Sequence, residues 1–172
     1  RVTKDTTITV EGSATKEDEA ALTRQKRYRL MWPDVKYEPG TLKVVAYDAA
    51  GKAVAETEVH TAGKAYRLEA VADTLPLRAG GKDLCYIRVR MLDKDGNLVP
   101  DAGQLVEFGV KGAGTYKAAA NGDATCLDLF HEPRMHLFKG QLTAIVATTD
   151  KAGTFTFTAK AKGVKSASVK CT

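Results

Sequence analysis

Leu84-Cys85-Tyr86-Ile87-Arg88-Val89-Arg90-Met91-Leu92 places Cys85, Ile87, Val89 and Met91 on one side of an extended chain and Tyr86, Arg88 and Arg90 on the other. A period of two marks a strand with one buried face. Asp93-Lys94-Asp95-Gly96-Asn97 follows, made of residues that tolerate positive φ or close short turns on their own side chains, so the chain is expected to reverse here. Leu105, Phe108 and Val110 form the expected returning arm, with Val99-Pro100 and Gly103 interrupting it. The stretch 84–110 therefore predicts a hairpin within a β-sandwich, not an active site.

The same pattern extends in both directions. Thr154-Phe155-Thr156-Phe157-Thr158-Ala159-Lys160-Ala161 alternates with Phe155, Phe157, Ala159 and Ala161 inward, and 142–149 is the longest apolar run of this half, which predicts a central strand. Further strands are expected at 66–71, 116–120, 126–130 and 164–171. Towards the amino end, 41–47 and 53–60 read as a hairpin around Asp48-Ala49-Ala50-Gly51-Lys52, and Tyr37-Glu38-Pro39-Gly40 fits a type II turn. Thr6-Thr7-Ile8-Thr9-Val10 and Tyr28-Arg29-Leu30-Met31-Trp32 read as strands, the second stopped by Pro33. Short strands, frequent turns and almost no helical periodicity predict an all-β chain of two tandem immunoglobulin-like sandwiches, residues 1–63 and 64–172.

Composition narrows the function classes. The chain has 172 residues, 44% hydrophobic and 27% charged, and no apolar run approaches the roughly 18 residues of a membrane helix, so no membrane partner is expected. No signal-peptide pattern opens the sequence, since Arg1-Val2-Thr3-Lys4-Asp5 already reads as a strand edge. The net charge is +5, but the cations are scattered; Arg24-Gln25-Lys26-Arg27-Tyr28-Arg29, preceded by Glu17-Asp18-Glu19, reads as a solvated strand face and predicts no nucleic-acid partner. Cys85, Cys126 and Cys171 have neither metal-knuckle nor redox-motif spacing, and their odd number leaves at least one thiol outside any bridge within the chain.

Segments that resemble catalytic patterns fail on spacing or on a missing residue. His131-Glu132-Pro133-Arg134-Met135-His136 sets its imidazoles five apart where a helix face needs four, and Pro133 opposes the helix, so a polar loop between strands is expected. Asp93-Lys94-Asp95-Gly96-Asn97 begins like a calcium loop but has Leu98 where Gly belongs and Gln104 where a bidentate Glu belongs. Gly80-Gly81-Lys82-Asp83 lacks the hydroxyl residue of a phosphate loop, and Ser13, Ser166 and Ser168 sit in no nucleophile elbow. No catalytic residue, metal ligand or cofactor is expected. Aromatic rings that could stack on sugars are Trp32 and Tyr37, although the apolar neighbours Leu30, Met31 and Val35 suit Trp32 better to the inter-sheet core of the first domain.

Two segments resemble a known family. Trp32-Pro33-Asp34-Val35-Lys36-Tyr37-Glu38-Pro39-Gly40-Thr41-Leu42-Lys43-Val44-Val45-Ala46-Tyr47, with Glu58-Val59-His60-Thr61-Ala62-Gly63, is similar to the end of the immunoglobulin-like domain that follows the barrel in bacterial β-galactosidases of glycoside hydrolase family 2. Asp83-Leu84-Cys85-Tyr86-Ile87-Arg88-Val89, Asp95-Gly96-Asn97-Leu98-Val99-Pro100, Asn121-Gly122-Asp123 and Phe138-Lys139-Gly140 resemble the C-terminal sandwich of the same enzymes. The resemblance implies a non-catalytic accessory region, because that family's catalytic glutamates lie on a (β/α)₈ barrel of roughly 250 residues that nothing here matches. It implies as partners the barrel and other domains of a parent that removes terminal β-galactose, contacts within a homo-oligomer, and a periplasmic or secreted location. It also implies that the first sandwich lacks its N-terminal strands, leaving an open sheet edge near 6–10. Alternatives are a carbohydrate-binding module using Trp32 and Tyr37, or an adhesin-like spacer.

Overall fold

A computed structural model of the protein describes residues 35–48, 50–73 and 76–172. The strands expected at 6–10 and 28–32, the sheet edge near 6–10, the basic cluster at 24–29 and Trp32 lie outside these residues. The described residues form ten strands and no helix, so the all-β expectation holds. The chain divides into two compact units, 1–61 and 62–172.

In the first unit, β1 (Thr41–Tyr47) and β2 (Ala53–His60) pair antiparallel, Thr41 opposite His60, as the sequence predicts. The Asp48 carboxylate closes the turn by accepting the N–H groups of Ala50 and Lys52, each at 2.9 Å. The type II turn at 37–40 is not formed. Gly40 has φ +151°, far from the value near +80° that such a turn needs, and Thr61 holds the bend instead. Its hydroxyl accepts the Gly40 N–H at 3.0 Å while its own N–H donates to the Gly40 carbonyl at 2.8 Å.

The second unit contains β3 (Arg67–Ala72), β4 (Leu84–Leu92), β5 (Leu105–Gly112), β6 (Gly114–Ala120), β7 (Arg134–His136), β8 (Gln141–Thr148), β9 (Phe155–Ala161) and β10 (Ala167–Cys171). One sheet runs β3-β4-β8-β6 and the other β10-β9-β5-β7, with every strand pair antiparallel. With the short β7 set aside, these orders are those of the A-B-E-D and G-F-C sheets of an immunoglobulin-like sandwich.

The faces turned towards each other are those the alternation selects. Cys85, Ile87, Val89 and Met91 of β4 are fully buried, as are Phe157 and Ala159 of β9. The Phe108 ring on β5 stacks on Phe157 at 5.6 Å and on Tyr116 of β6 at 5.8 Å, joining the two sheets through aromatic contact. On the outer face, Arg90 of β4 pairs with Glu69 directly opposite on β3.

One expectation is overturned. The chain does reverse at 93–97, and Leu98 bridges Leu92, but β5 does not return alongside β4. Both edges of β4 are already occupied, by β3 and by β8. Pro100 lacks a donor to continue the ladder, and Val99 and Ala102 turn into the core, 8% and 5% exposed, so the chain crosses to the opposite sheet. There β5 pairs with β9 and β7.

A second correction concerns 126–136. The apolar stretch 126–130 is a loop, and the strand comes later, at Arg134–His136, where Met135 alone is buried. The central strand β8 is placed as expected, between β4 and β6, although its outward residues Thr143 and Ile145 remain partly accessible.

Candidate functional site

The residues that imitate catalytic motifs are used by the fold. The Asp93 side chain, 2% exposed, accepts the N–H groups of Gly63, Asp95 and Asn97 at 2.8, 2.9 and 2.8 Å, and the Asn97 side-chain amide at 3.1 Å. These donors, led by the Gly63 amide, hold its pKa down to about 2. A carboxylate so occupied has little left to offer a cation. His136 sits on β7, with Nδ1 2.9 Å from the Asp128 carboxylate, while His131 lies in the exposed loop before it. Among the described residues no three His, Cys, Asp or Glu side chains converge as a metal site. One cleft of about 190 Å³ is lined by Leu77, Lys151, Phe155 and Cys171 among others, with no Asp, Glu or His side chain on its wall.

The surface feature that the sequence did not single out is the loop between β6 and β7. Leu127, Leu129 and Phe130 project into solvent, 93%, 54% and 60% exposed. The backbone beneath them is firmly held. The Tyr116 hydroxyl donates its one proton to the Glu132 carbonyl at 2.6 Å, with the Phe130 carbonyl 3.1 Å away as the weaker branch of a bifurcated bond, and burial raises its pKa to about 12. Asp128 accepts the His136 N–H at 2.7 Å, and this bond, with the His136 side chain, lowers its pKa. Asn121 donates to the His136 carbonyl at 3.0 Å, and Asp123 closes a turn on the Thr125 N–H at 2.9 Å.

Such a loop presents apolar side chains from a scaffold that needs none of them for its own core. Exposed apolar side chains grouped in this way are what a contact with another protein surface requires. In the sequence, Leu127 and Leu129 flanking Asp128 look like strand alternation. The missing signal was the density of Asn and Asp at 121, 123 and 128, which serve as loop braces.

Of the two rings proposed for sugar contact, Trp32 lies outside the described residues. Tyr37 is 73% exposed, and its hydroxyl lies 3.3 Å from the Thr61 hydroxyl.

Together these features define a β-sandwich of immunoglobulin-like strand order that carries a braced apolar loop. Comparison with known families places it further. Residues 68–170 match the model of the glycoside hydrolase family 2 C-terminal domain 5, and the chain belongs to that family. Residues 9–55 match a domain of unknown function (DUF4982). Among curated relatives, beta-galactosidase BoGH2A of Bacteroides ovatus is 40% identical over 136 residues, covering 79% of this chain and 16% of the relative. The chain thus spans about a sixth of that protein, and the part it matches in the family is a C-terminal domain, not a catalytic region. Among solved structures, a glycosyl hydrolase family 2 member from Bacteroides cellulosilyticus superposes with a TM-score of 0.78 at 29% identity, covering 86% of this chain and 20% of that one. A beta-glycosidase from Bacteroides vulgatus, at 21% identity and TM-score 0.74 over 80% of this chain and 18% of its own, shares the fold.

Proposed function

We propose that this chain is the non-catalytic C-terminal accessory region of a larger family 2 glycosidase that hydrolyses terminal β-D-galactose. Residues 64–172 would be an immunoglobulin-like sandwich of its C-terminal region, and 1–63 the C-terminal part of the preceding one. The observation that carries the reading is the braced loop of Leu127, Leu129 and Phe130 on a domain whose family model is a C-terminal domain of such enzymes. Its apolar side chains would be covered by the catalytic barrel or a neighbouring domain of the parent, or by a second copy in a homo-oligomer. The galactose assignment draws on the 40% identity to a β-galactosidase, and a periplasmic or secreted location goes with it.

The test uses the full-length gene product against chromogenic β-galactoside, β-glucoside and β-glucuronide. Preferential turnover of the β-galactoside is expected. Preference for another glycoside would overturn the substrate and leave the accessory role standing.

A second reading has one observation in its favour, the exposed ring of Tyr37, which suits stacking on the apolar face of a sugar. Titration of the chain and its Tyr37→Ala variant with galacto-oligosaccharides distinguishes the two, since this reading requires saturable binding that the variant loses.

A further inference from the structure

Cys85 on β4 and Cys171 on β10 belong to different sheets, are both fully buried, and bring their sulfur atoms to 3.9 Å across the core. We infer that these two residues form a disulfide that bridges the sandwich when the chain folds in an oxidising environment. Both are thiols in this structure. Sulfur atoms already this close need to approach by roughly 2 Å to reach bonding distance, within the reach of small side-chain rotations. Cys126 is excluded as a partner by its position in the β6–β7 loop, where its sulfur accepts the Asn121 side-chain amide at 3.4 Å. Strand order also separates this bridge from the one typical of antibody domains. That bond joins the second and sixth strands of the sandwich, whereas Cys85 and Cys171 join the second and last.

The chemistry is a two-electron oxidation by an external disulfide. One cysteine thiolate attacks oxidised glutathione, forming a mixed disulfide and releasing one glutathione thiolate; the second cysteine thiolate then displaces the remaining glutathione. In sum, two protein thiols and one glutathione disulfide give one protein disulfide and two glutathione thiols. Burial raises the Cys171 pKa, and neither sulfur is exposed to an oxidant, so the native thiols react slowly. The bond therefore forms while the sandwich is assembling, and once formed it is shielded from reductants. It closes a loop with a sequence separation of 86, so it restricts the unfolded chain strongly.

The experiment refolds the whole 172-residue chain from denaturant, once in a glutathione redox buffer and once in dithiothreitol, then alkylates it in denaturant and maps the peptides by mass spectrometry. The expected result is a Cys85–Cys171 cross-linked peptide in the first sample with Cys126 alkylated, and three alkylated cysteines in the second. The oxidised chain should melt on the order of 10 °C above the reduced one, a difference absent in Cys171→Ala. Full alkylation of Cys85 and Cys171 after oxidative refolding, or a cross-link that includes Cys126, overturns the inference.

Discussion

The carboxylate of Asp93 accepts the backbone N–H of Gly63 at 2.8 Å, tying the segment that leads into β3 to the turn that ends β4. The same side chain closes that turn through Asp95 and Asn97, so one buried group fixes two pieces of chain 30 residues apart. A Cβ added at Gly63 would sit 3.5 Å from Asp93 Oδ2, an ordinary contact, so the bond rather than the space is what matters there.

Asp93→Ala should lower the melting temperature by several degrees at neutral pH, because it leaves buried amide donors without an acceptor. The acid dependence follows from the pKa, about 2 in the folded chain against 3.8 ordinarily. A depressed carboxylate stabilises the fold fully above the unfolded value and loses that contribution as pH falls through the folded one. Thermal melts between pH 5 and 2 should therefore show a decline in the wild type that is shallower in the variant. Parallel declines would contradict this role.

Lys139 and Gly140 occupy adjacent left-handed positions, φ +52° and +75°, in the tight turn where Phe138 and Gln141 exchange backbone hydrogen bonds. Both central residues at positive φ is the pattern of a type I′ turn, which favours Asn-Gly. Lys139→Asn should accordingly raise stability by about 0.5 kcal/mol. Gly140→Ala should cost more than about 2 kcal/mol, since its Cβ would meet the Val99 carbonyl oxygen at 2.2 Å. Gly122→Ala, also at positive φ but with open space around it, should cost about 1 kcal/mol. Denaturant titration of the three variants gives the order.

Tyr116→Phe removes the hydroxyl that holds the Phe130 and Glu132 carbonyls, and should cost about 1 kcal/mol. The loss should be local. Amide exchange should accelerate at 127–132 and stay unchanged in β4 and β8.

Leu127→Asp and Phe130→Asp should change the stability of the isolated chain by less than about 0.5 kcal/mol, because neither side chain is buried in it. In the full-length gene product the same substitutions should lower stability or activity, since on the proposed function these groups would be covered there. Equal effects in both settings would show the loop to be no more than surface.

Much of the fold could be read from the sequence because long strands repeat their pattern. The nine residues of β4 and the alternating Phe155, Phe157 and Ala159 leave little choice of face. What sequence could not give was the partner of each strand. Alternation says which side of β5 is buried but not that β3 and β8 already flank β4, so the crossover at 98–104 was invisible. The three-residue β7 is too short for a period, and its sole buried residue, Met135, lies between Arg134 and His136 in what looked like a polar loop. Leu127, Leu129 and Phe130 fell within an expected strand at 126–130, because apolar character along a chain does not reveal exposure.

Hydrolysis of a chromogenic β-galactoside by the purified 172-residue chain, measured beside the full-length gene product at equal molar concentration, bears most directly on the accessory reading. The chain alone should give no rate above the buffer blank while the full-length gene product turns over. Steady turnover by the chain, abolished by substituting one of its own carboxylates, would contradict it.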